Sequence, residues 1–288
     1  MTTTMTNVCV ACGSVDRAHR QLFAGTLVGC ASCGFAWTAA HPEPLEDLYG
    51  ESYFSGDAYE DYLQPDARRF EAGRRLRWVL RTGPVSSLIE AGCAGGFFIE
   101  AARHAGIAAT GVELSAEMVS YAREQLGLPV WQGRFESATL DASVQAVCAF
   151  HVLEHVEDPN AFVRTACRLL EPGGLFAIEV PNIASTAAHR LGLAWPGLQP
   201  RYHRWHFSPT SLRRLVERGG FEVLVQDTAT FRYYMPARFR HRQARHLFPA
   251  DLRNTRSIRL TPRRRGDLLR LIAQKPYGPN RIVRRRLA

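Results

Sequence analysis

The sequence predicts an α/β protein with a doubly wound sheet, preceded by a small cysteine-bearing unit. Three observations support this prediction. From Val85 onward, short apolar runs alternate with amphipathic segments, as in a parallel sheet covered by helices on both faces. A glycine-rich turn at residues 92–96 follows the first apolar run, and two Cys-x-x-Cys pairs precede the whole pattern.

The order of the elements follows from apolar runs and turn residues. Ser115 and Ser208 are suitable helix N-caps, Pro159 suits a first helical turn, and residues 172–174 (Pro-Gly-Gly) end a helix. Strands are expected near residues 85–90, 108–113, 129–132, 144–150, 174–180, 221–227 and 229–235. Helices are expected near residues 96–105, 115–126, 159–171 and 208–219.

Composition limits the class of protein. A chain of 288 residues with 46% hydrophobic content is long enough for one α/β domain with small appendages and argues against global disorder. No window holds the 18 or more uninterrupted apolar residues that suggest a membrane span. The first residues lack the basic-then-apolar layout of a secretory signal. A cytoplasmic location is therefore expected.

The glycine-rich turn is the most informative segment. It follows an apolar run that ends in Glu90, and glycine at positions 92, 95 and 96 clears space for a ligand near the backbone. A carboxylate this close to the turn repels a diphosphate but attracts an ammonium group. Glu113 ends the next apolar run, about twenty residues further on, where an acid can bind a ribose. Glu90, Glu113 and His151 all fall at predicted carboxyl ends of strands, where ligands of such sheets bind.

Two further motifs identify a family. They are Phe150-His-Val-Leu-Glu-His-Val-Glu-Asp-Pro159 and Leu169-Leu-Glu-Pro-Gly-Gly-Leu-Phe-Ala-Ile-Glu-Val-Pro-Asn182. Together with the glycine turn and Glu113, they resemble the class I S-adenosylmethionine-dependent methyltransferases over residues 45–234. The resemblance implies a Rossmann-like, seven-stranded methyltransferase sheet and S-adenosylmethionine as cofactor.

The resemblance also implies roles for individual residues. Glu113 is expected to accept hydrogen bonds from the ribose hydroxyls, and Leu114 to flank the adenine. Phe135 lies where many relatives place an acid that contacts the adenine amine, so we expect it to stack or to offer its backbone. His151 is expected beside the sulfonium. The aminoacyl end of the cofactor is expected to contact Glu90, Gly92, Cys93 and Gly96.

Histidines are the candidates for catalysis. Transfer to a hydroxyl benefits from a general base, and His151, His203 and His206 are the catalytic candidates. His155 is expected to be structural, by the family resemblance. The loop at residues 201–207 carries two histidines, two arginines and three aromatic residues, which suits a polar or anionic acceptor. The alternative is that His203 and His206 anchor this loop.

The N-terminal cysteines predict a zinc ribbon. Their spacing is that of two metal-binding knuckles, and both pairs are followed by glycine. Such a site is closed and structural rather than catalytic. Disulfides are the competing interpretation, which a cytoplasmic setting disfavours. The expected ligands are Cys9, Cys12, Cys30 and Cys33.

Charge is concentrated towards the C-terminus, where residues 236–288 carry 16 Arg or Lys and 2 acids. This basic tail suggests a partner that carries phosphate, such as a nucleotide sugar, a lipid headgroup or nucleic acid, and it allows peripheral membrane contact. The alternative is a solvated tail without a ligand. The predicted organisation is a zinc ribbon at 1–44, a helical lid or linker at 45–82, a methyltransferase domain at 83–235 and the tail at 236–288.

Three hypotheses for function follow. The preferred one is methyl transfer to an oxygen or carbon of a small molecule, namely a saccharide, a lipid or a secondary metabolite. An RNA methyltransferase with a zinc ribbon is the first alternative, although Val180-Pro-Asn182 differs from the signature of adenine N-methylation. A non-catalytic binding or scaffold protein is the second. The sequence leaves the acceptor and the oligomeric state open.

Overall fold

A computed structural model describes residues 8–15, 19–39, 65–140, 143–230 and 265–278. The strands are β1 (His19–Leu22), β2 (Leu27–Cys30), β3 (Ala36–Thr38), β4 (Ser87–Ala91), β5 (Ala108–Glu113), β6 (Val130–Gln132), β7 (Val144–Phe150), β8 (Leu170–Pro181), β9 (Trp205–His206), β10 (Glu222–Ala229) and β11 (Leu268–Gln274). The α-helices are α1 (Pro65–Val79), α2 (Phe97–His104), α3 (Ala116–Ser120), α4 (Pro159–Leu169), α5 (Thr186–Leu191) and α6 (Pro209–Arg218).

Seven strands form the main sheet, in the order β10-β11-β8-β7-β4-β5-β6. The pairs from β8 through β6 are all parallel, whereas β11 runs antiparallel to both β8 and β10. Sequence order reverses between β4 and β7, so their carboxyl ends flank the point where such a sheet binds ligands. The predicted doubly wound fold is confirmed.

Alternate residues of each central strand face opposite helical layers. Ile89 belongs to the core shared with α4 and α6, while its neighbour Leu88 packs with α1 and α2. The helices begin at caps that the sequence supplies. The Ser115 hydroxyl accepts a hydrogen bond from the backbone N–H of Met118, and Ser208 forms a capping box with Ser211. The helix predicted over 115–126 is α3 followed by a π-helical turn at Tyr121–Gln125.

The seventh strand of the described sheet is not the one expected at 229–235. Strand β10 runs to Ala229, and the seventh strand is β11, which lies within the segment predicted to be a basic tail. Residues 231–235 lie outside the described residues. Strand β11 is almost continuously apolar because it is covered on both faces, and its one charged residue, Arg270, forms a 2.7 Å ion pair with Asp227. The methyltransferase sheet therefore extends beyond the predicted boundary at 235.

The N-terminal unit is a four-stranded antiparallel sheet in the order β1-β2-β3-β9. Strand β9 comes from the loop before α6, so the unit shares a strand with the larger domain. The Phe35 ring stacks on Trp205, with 5.6 Å between ring centroids, and the Ser208 hydroxyl donates a 2.8 Å hydrogen bond to the Cys33 carbonyl. The predicted boundary at residue 44 lies outside the described residues. Among the described helices, none combines the length and the apolar character needed to cross a membrane.

Candidate active site

The turn between β4 and α2 brings the backbone close to neighbouring elements. Gly92 and Gly96 have φ angles of 65° and 84°, in the left-handed region that favours glycine. A Cβ on Gly92 would lie 2.4 Å from a methyl group of Val152, and one on Gly96 would lie 2.6 Å from Leu128. Only glycine therefore fits at these two positions. Ala94, with φ 44°, adopts the same region at the middle of the turn.

Glu113, at the end of β5, is held by backbone amides. Its two carboxylate oxygens accept 2.8 Å hydrogen bonds from the N–H groups of Ala94 and Ser115. Burial raises the pKa of Glu113, while these amides oppose the increase. A carboxylate offers about four lone-pair positions, so about two stay open after these bonds are made. The geometry can therefore bind a pair of hydroxyl groups.

Glu90, near the end of β4, is a buried acid with an unsatisfied oxygen. Its side chain is 5% exposed, and no group in the described ranges donates a hydrogen bond to its Oε2 atom. Burial raises the pKa of Glu90 well above its ordinary value, and Glu113 adds to the effect while Arg75 opposes it. A cation at this position would relieve the cost of the buried charge.

Of the other residues predicted to bind the cofactor, one lies beside Glu113 and two have their side chains in the core. Leu114 is half-buried beside Glu113. The Cys93 thiol faces the core, where a Cβ on Gly111 would lie 2.4 Å from its Sγ, so this residue offers only its backbone to a ligand. The Phe135 ring packs against Phe162, with 4.6 Å between centroids. Because the ring is packed in the core, the expectation that it stacks on adenine is wrong. Only the backbone of Phe135 remains a candidate for contact with the adenine.

His151 ends β7 in a left-handed conformation, with a φ angle of 59°. Its backbone N–H donates a 2.8 Å hydrogen bond to the Glu179 carbonyl, which fixes this conformation. Its ring lies between two buried carboxylates, with Nδ1 3.3 Å from Glu154 and Nε2 3.4 Å from Glu179. Burial lowers the pKa of His151, but the two carboxylates outweigh burial and raise it to about 9.

Arg75 connects helix α1 to this group of charges. Its guanidinium lies 2.8 Å from Glu179 and 2.9 Å from Glu71, and its Cζ atom lies 4.7 Å from the centre of the Phe150 ring. Arg75 thus joins the segment predicted as a lid to the carboxyl ends of β7 and β8. The lid role itself remains a prediction.

His203 and His206 lie in the interior, where they are 4% and 3% exposed. The Nδ1 atom of His203 hydrogen-bonds the Gly197 carbonyl at 3.1 Å. The Thr38 hydroxyl donates to the His203 carbonyl and lies 3.0 Å from Nε2 of His206, so His206 donates to Thr38. Burial lowers the pKa of His203 well below its ordinary value. Both histidines therefore anchor the loop, whereas the side chain of His151 is 30% exposed.

The four N-terminal cysteines come together as two knuckles. The Sγ atoms of Cys9 and Cys33 are 3.7 Å apart, and those of Cys12 and Cys30 are 3.9 Å apart. Zn–S bonds of about 2.3 Å in a tetrahedron place the sulfurs about 3.8 Å apart, so this arrangement fits a metal ion. The contact between the two thiols lowers the pKa of Cys9 to about 5 and raises the pKa of Cys33, so it favours one thiolate in this pair.

Some residues around the site were not singled out from the sequence as site residues. Glu179 is an acid within the apolar strand β8, and an isolated charge in a buried strand was the signal that could have identified it. Glu154 lies in the motif at residues 150–159, which indicates the family rather than a role for this residue. The sequence does not distinguish Arg75 from the other arginines of α1.

Comparison with known proteins identifies the class. A family model for the methyltransferase domain matches residues 62–226, more than half of the chain. Ubiquinone biosynthesis O-methyltransferases of Methylobacterium sp. (strain 4-46) and Methylobacterium nodulans are 34% and 35% identical, over 51% and 48% of this chain and 64% and 60% of theirs. A probable S-adenosylmethionine-dependent methyltransferase of Mycolicibacterium smegmatis is 31% identical over 49% of this chain and 53% of its own. The chain thus spans less than two thirds of these curated relatives.

Solved structures agree at the level of the fold. A methyltransferase of Thermotoga maritima, described as a possible histamine N-methyltransferase, has a TM-score of 0.56 and 20% identity over 77% of this chain and 97% of its own. A chain from the complex of a putative methyltransferase with the Trm112 activator of Haloferax volcanii has a TM-score of 0.58 and 21% identity over 83% and 100%. The fold and site define a class I methyltransferase. The chain belongs to the S-adenosylmethionine-dependent methyltransferase family.

Proposed function

We propose that this protein transfers a methyl group from S-adenosylmethionine to an oxygen atom of a small molecule. The observation that carries the proposal is the pair of acids beside the glycine turn. Glu90 has an unsatisfied buried oxygen, and Glu113 has spare lone pairs on a carboxylate already fixed by two amides. The cofactor carries an ammonium group and a ribose diol, which are the groups that such a pair would bind. The match to O-methyltransferases supports oxygen as the methylated atom.

Each residue has a proposed part in cofactor binding. Glu90 pairs with the ammonium group, Gly92 and Gly96 admit the aminoacyl end, and the backbone of Cys93 lines the turn. Glu113 accepts hydrogen bonds from the ribose hydroxyls. Leu114 and the backbone of Phe135 adjoin the adenine. When bound, the cofactor supplies a methyl group on a positively charged sulfur.

His151 is the proposed contact for the acceptor. Of the three histidines predicted to be catalytic, only His151 keeps a partly exposed side chain, since His203 and His206 are buried. Its strained backbone and its place at the end of β7 are typical of residues held for function. Both of its ring nitrogens face carboxylates, so His151 is proposed to orient the acceptor rather than to remove its proton.

We also propose that Cys9, Cys12, Cys30 and Cys33 hold a structural zinc ion. The two sulfur–sulfur distances support this, as does the turn of each knuckle, in which the N–H groups of Gly13 and Gly34 donate to the carbonyls of Cys9 and Cys30. Four thiolates close the coordination shell, so the ion would have no open position for catalysis.

The decisive experiment is a calorimetric titration of S-adenosylmethionine and of its demethylated product into the purified protein. Glu113→Ala should weaken binding about 10- to 100-fold, because it removes charged hydrogen bonds to the ribose. Glu117→Ala, an exposed glutamate on α3, is the matched control and should bind like the wild type. Equal affinity of the two variants would contradict the assigned site. Incubation with phenolic, saccharide and lipid acceptors then tests the substrate class.

A further inference from the structure

Glu154 is a buried carboxylate that the proposed reaction does not use. Its side chain is 1% exposed, and within the described ranges neither of its oxygens accepts a hydrogen bond. The charged group that approaches it is the His151 ring, 3.3 Å away, which is shared with Glu179. An ionised carboxylate buried without hydrogen bonds costs several kcal/mol. The position therefore favours binding of a cation.

Two histidines face this carboxylate from different parts of the chain. His155 lies in the turn after β7, and His203 lies in the loop before β9. Both are buried, and each offers a ligand atom to a cluster in which the ligand atoms of Glu154, His155 and His203 lie within 4.8 Å of one another. The Nε2 atom of His155 is 4.0 Å from Glu154 Oε1, and the two imidazole rings are 4.7 Å apart.

The backbone sets the tautomer of both rings. Nδ1 of His155 lies 3.1 Å from the Tyr202 carbonyl, and Nδ1 of His203 lies 3.1 Å from the Gly197 carbonyl. A carbonyl only accepts hydrogen bonds, so each Nδ1 carries the proton and each Nε2 carries a lone pair. Metal-binding histidines are typically oriented in this way, by donating their other N–H to a carbonyl or carboxylate.

We propose that Glu154, His155 and His203 bind a second divalent metal ion, preferentially zinc. Two imidazoles and one carboxylate form a set that zinc uses with a fourth position open. Zinc bonds of about 2.0–2.1 Å bring tetrahedral ligand atoms about 3.4 Å apart, so binding requires a contraction of about 1 Å. The ion would cross-link the turn after β7 to the loop before β9. This proposal does not depend on the nature of the methyl acceptor.

Zinc stoichiometry tests the proposal. The full chain is stripped with a chelator, dialysed against zinc sulfate and analysed by mass spectrometry. The wild type should hold two ions per chain, while His203→Ala and Glu154→Gln should each hold one. His189→Ala, an exposed histidine on α5, is the matched control and should hold two. A single ion in the wild type, or two ions in both site variants, would overturn the proposal.

Cobalt distinguishes the two sites without any substitution. Co²⁺ bound by thiolates gives a sulfur-to-metal charge-transfer band, which nitrogen and oxygen ligands do not give. During titration of the stripped wild type, this band should saturate at one equivalent. The visible d–d absorption should continue to rise until the second equivalent is bound. If both signals saturate together at one equivalent, there is no second site.

Discussion

The acids beside the glycine turn show how one residue can favour binding at the expense of stability. Glu90 lies among apolar neighbours of β4 with an unsatisfied oxygen, and burial raises its pKa well above the ordinary value. A buried charge of this kind destabilises the protein until a cation arrives. We therefore expect the empty site to be strained and the bound site to be relaxed.

Glu90→Gln should stabilise the cofactor-free protein by about 1–3 kcal/mol near neutral pH and should weaken cofactor binding. The raised pKa means that the folded state binds a proton more tightly than the unfolded state. The stabilisation should thus be absent below the ordinary carboxyl pKa of 4.5 and should grow as the pH rises through the higher pKa of the folded state. Thermal unfolding of both proteins across pH measures this difference. Equal midpoints at every pH would show that Glu90 is not strained.

Gly92→Ala should destabilise the protein more than Gly106→Ala does. Both glycines have positive φ angles, of 65° and 78°, so both substitutions carry a backbone cost of about 1 kcal/mol. A Cβ on Gly92 also meets Val152, whereas nothing lies within 4 Å of one on Gly106. The clash should add about 1–3 kcal/mol, measured by urea unfolding. If the two variants unfold alike, the close approach at Gly92 is not rigid.

At the scale of elements, the sequence predicted the parallel strands well and two other strands poorly. Strands β4 to β8 are apolar runs because they are buried on both faces, and that pattern is visible without a structure. Strand β11 has the same character, but the arginines around it masked the pattern. Strand β9 has two residues, too few for any periodicity. Its pairing depends on contacts with β3, about 168 residues away in the chain.

The residues of the candidate sites also fall into those that the sequence indicates and those that it does not. Glu90, Glu113 and the four cysteines can be proposed from the sequence, because their spacing indicates their chemistry. The sequence does not predict that Glu154 and His203 lie close together, because they meet only when the loop before β9 folds onto the turn after β7. A local sequence pattern cannot predict a contact of this kind.

Truncation tests the role of β11. A chain that ends at residue 235, the boundary expected from the sequence, should not fold, because β8 and β10 would lose the strand between them. A chain that ends at residue 278 keeps β11 and should fold, as measured by circular dichroism and thermal unfolding. Cooperative unfolding of the shorter chain would show that β11 is dispensable.

At the scale of the whole molecule, the N-terminal unit and the methyltransferase sheet are expected to respond together to metal. The Ser208 hydroxyl donates to the Cys33 carbonyl, and β3 pairs with β9, which precedes α6. Loss of the proposed zinc ion should therefore loosen the loop at residues 195–207 as well as the knuckles.

Cys12→Ser should abolish binding of the proposed zinc ion, and such binding contributes on the order of 10 kcal/mol in isolated zinc modules. Hydrogen exchange should accelerate in β1 to β3 and at residues 205–206, while β4 and β7 stay protected. Cys167→Ser, a partly exposed cysteine on α4, is the matched control and should leave exchange unchanged. Persistent protection at 205–206 in Cys12→Ser would show that β9 is held without the N-terminal unit.

The shared strand β9 also orders events during synthesis. Thr38, at the end of β3, leaves the ribosome 168 residues before His206, the residue that its hydroxyl contacts. At a synthesis rate of about 5–20 residues per second, one edge of β3 stays unpaired for roughly 10–30 s. An unpaired edge of this kind can mispair with other nascent chains. The proposed zinc ion could bind during that interval, because all four cysteines precede Thr38 in the chain. Zinc supply at the moment of translation, rather than in the finished protein, would then decide how much of the chain folds correctly.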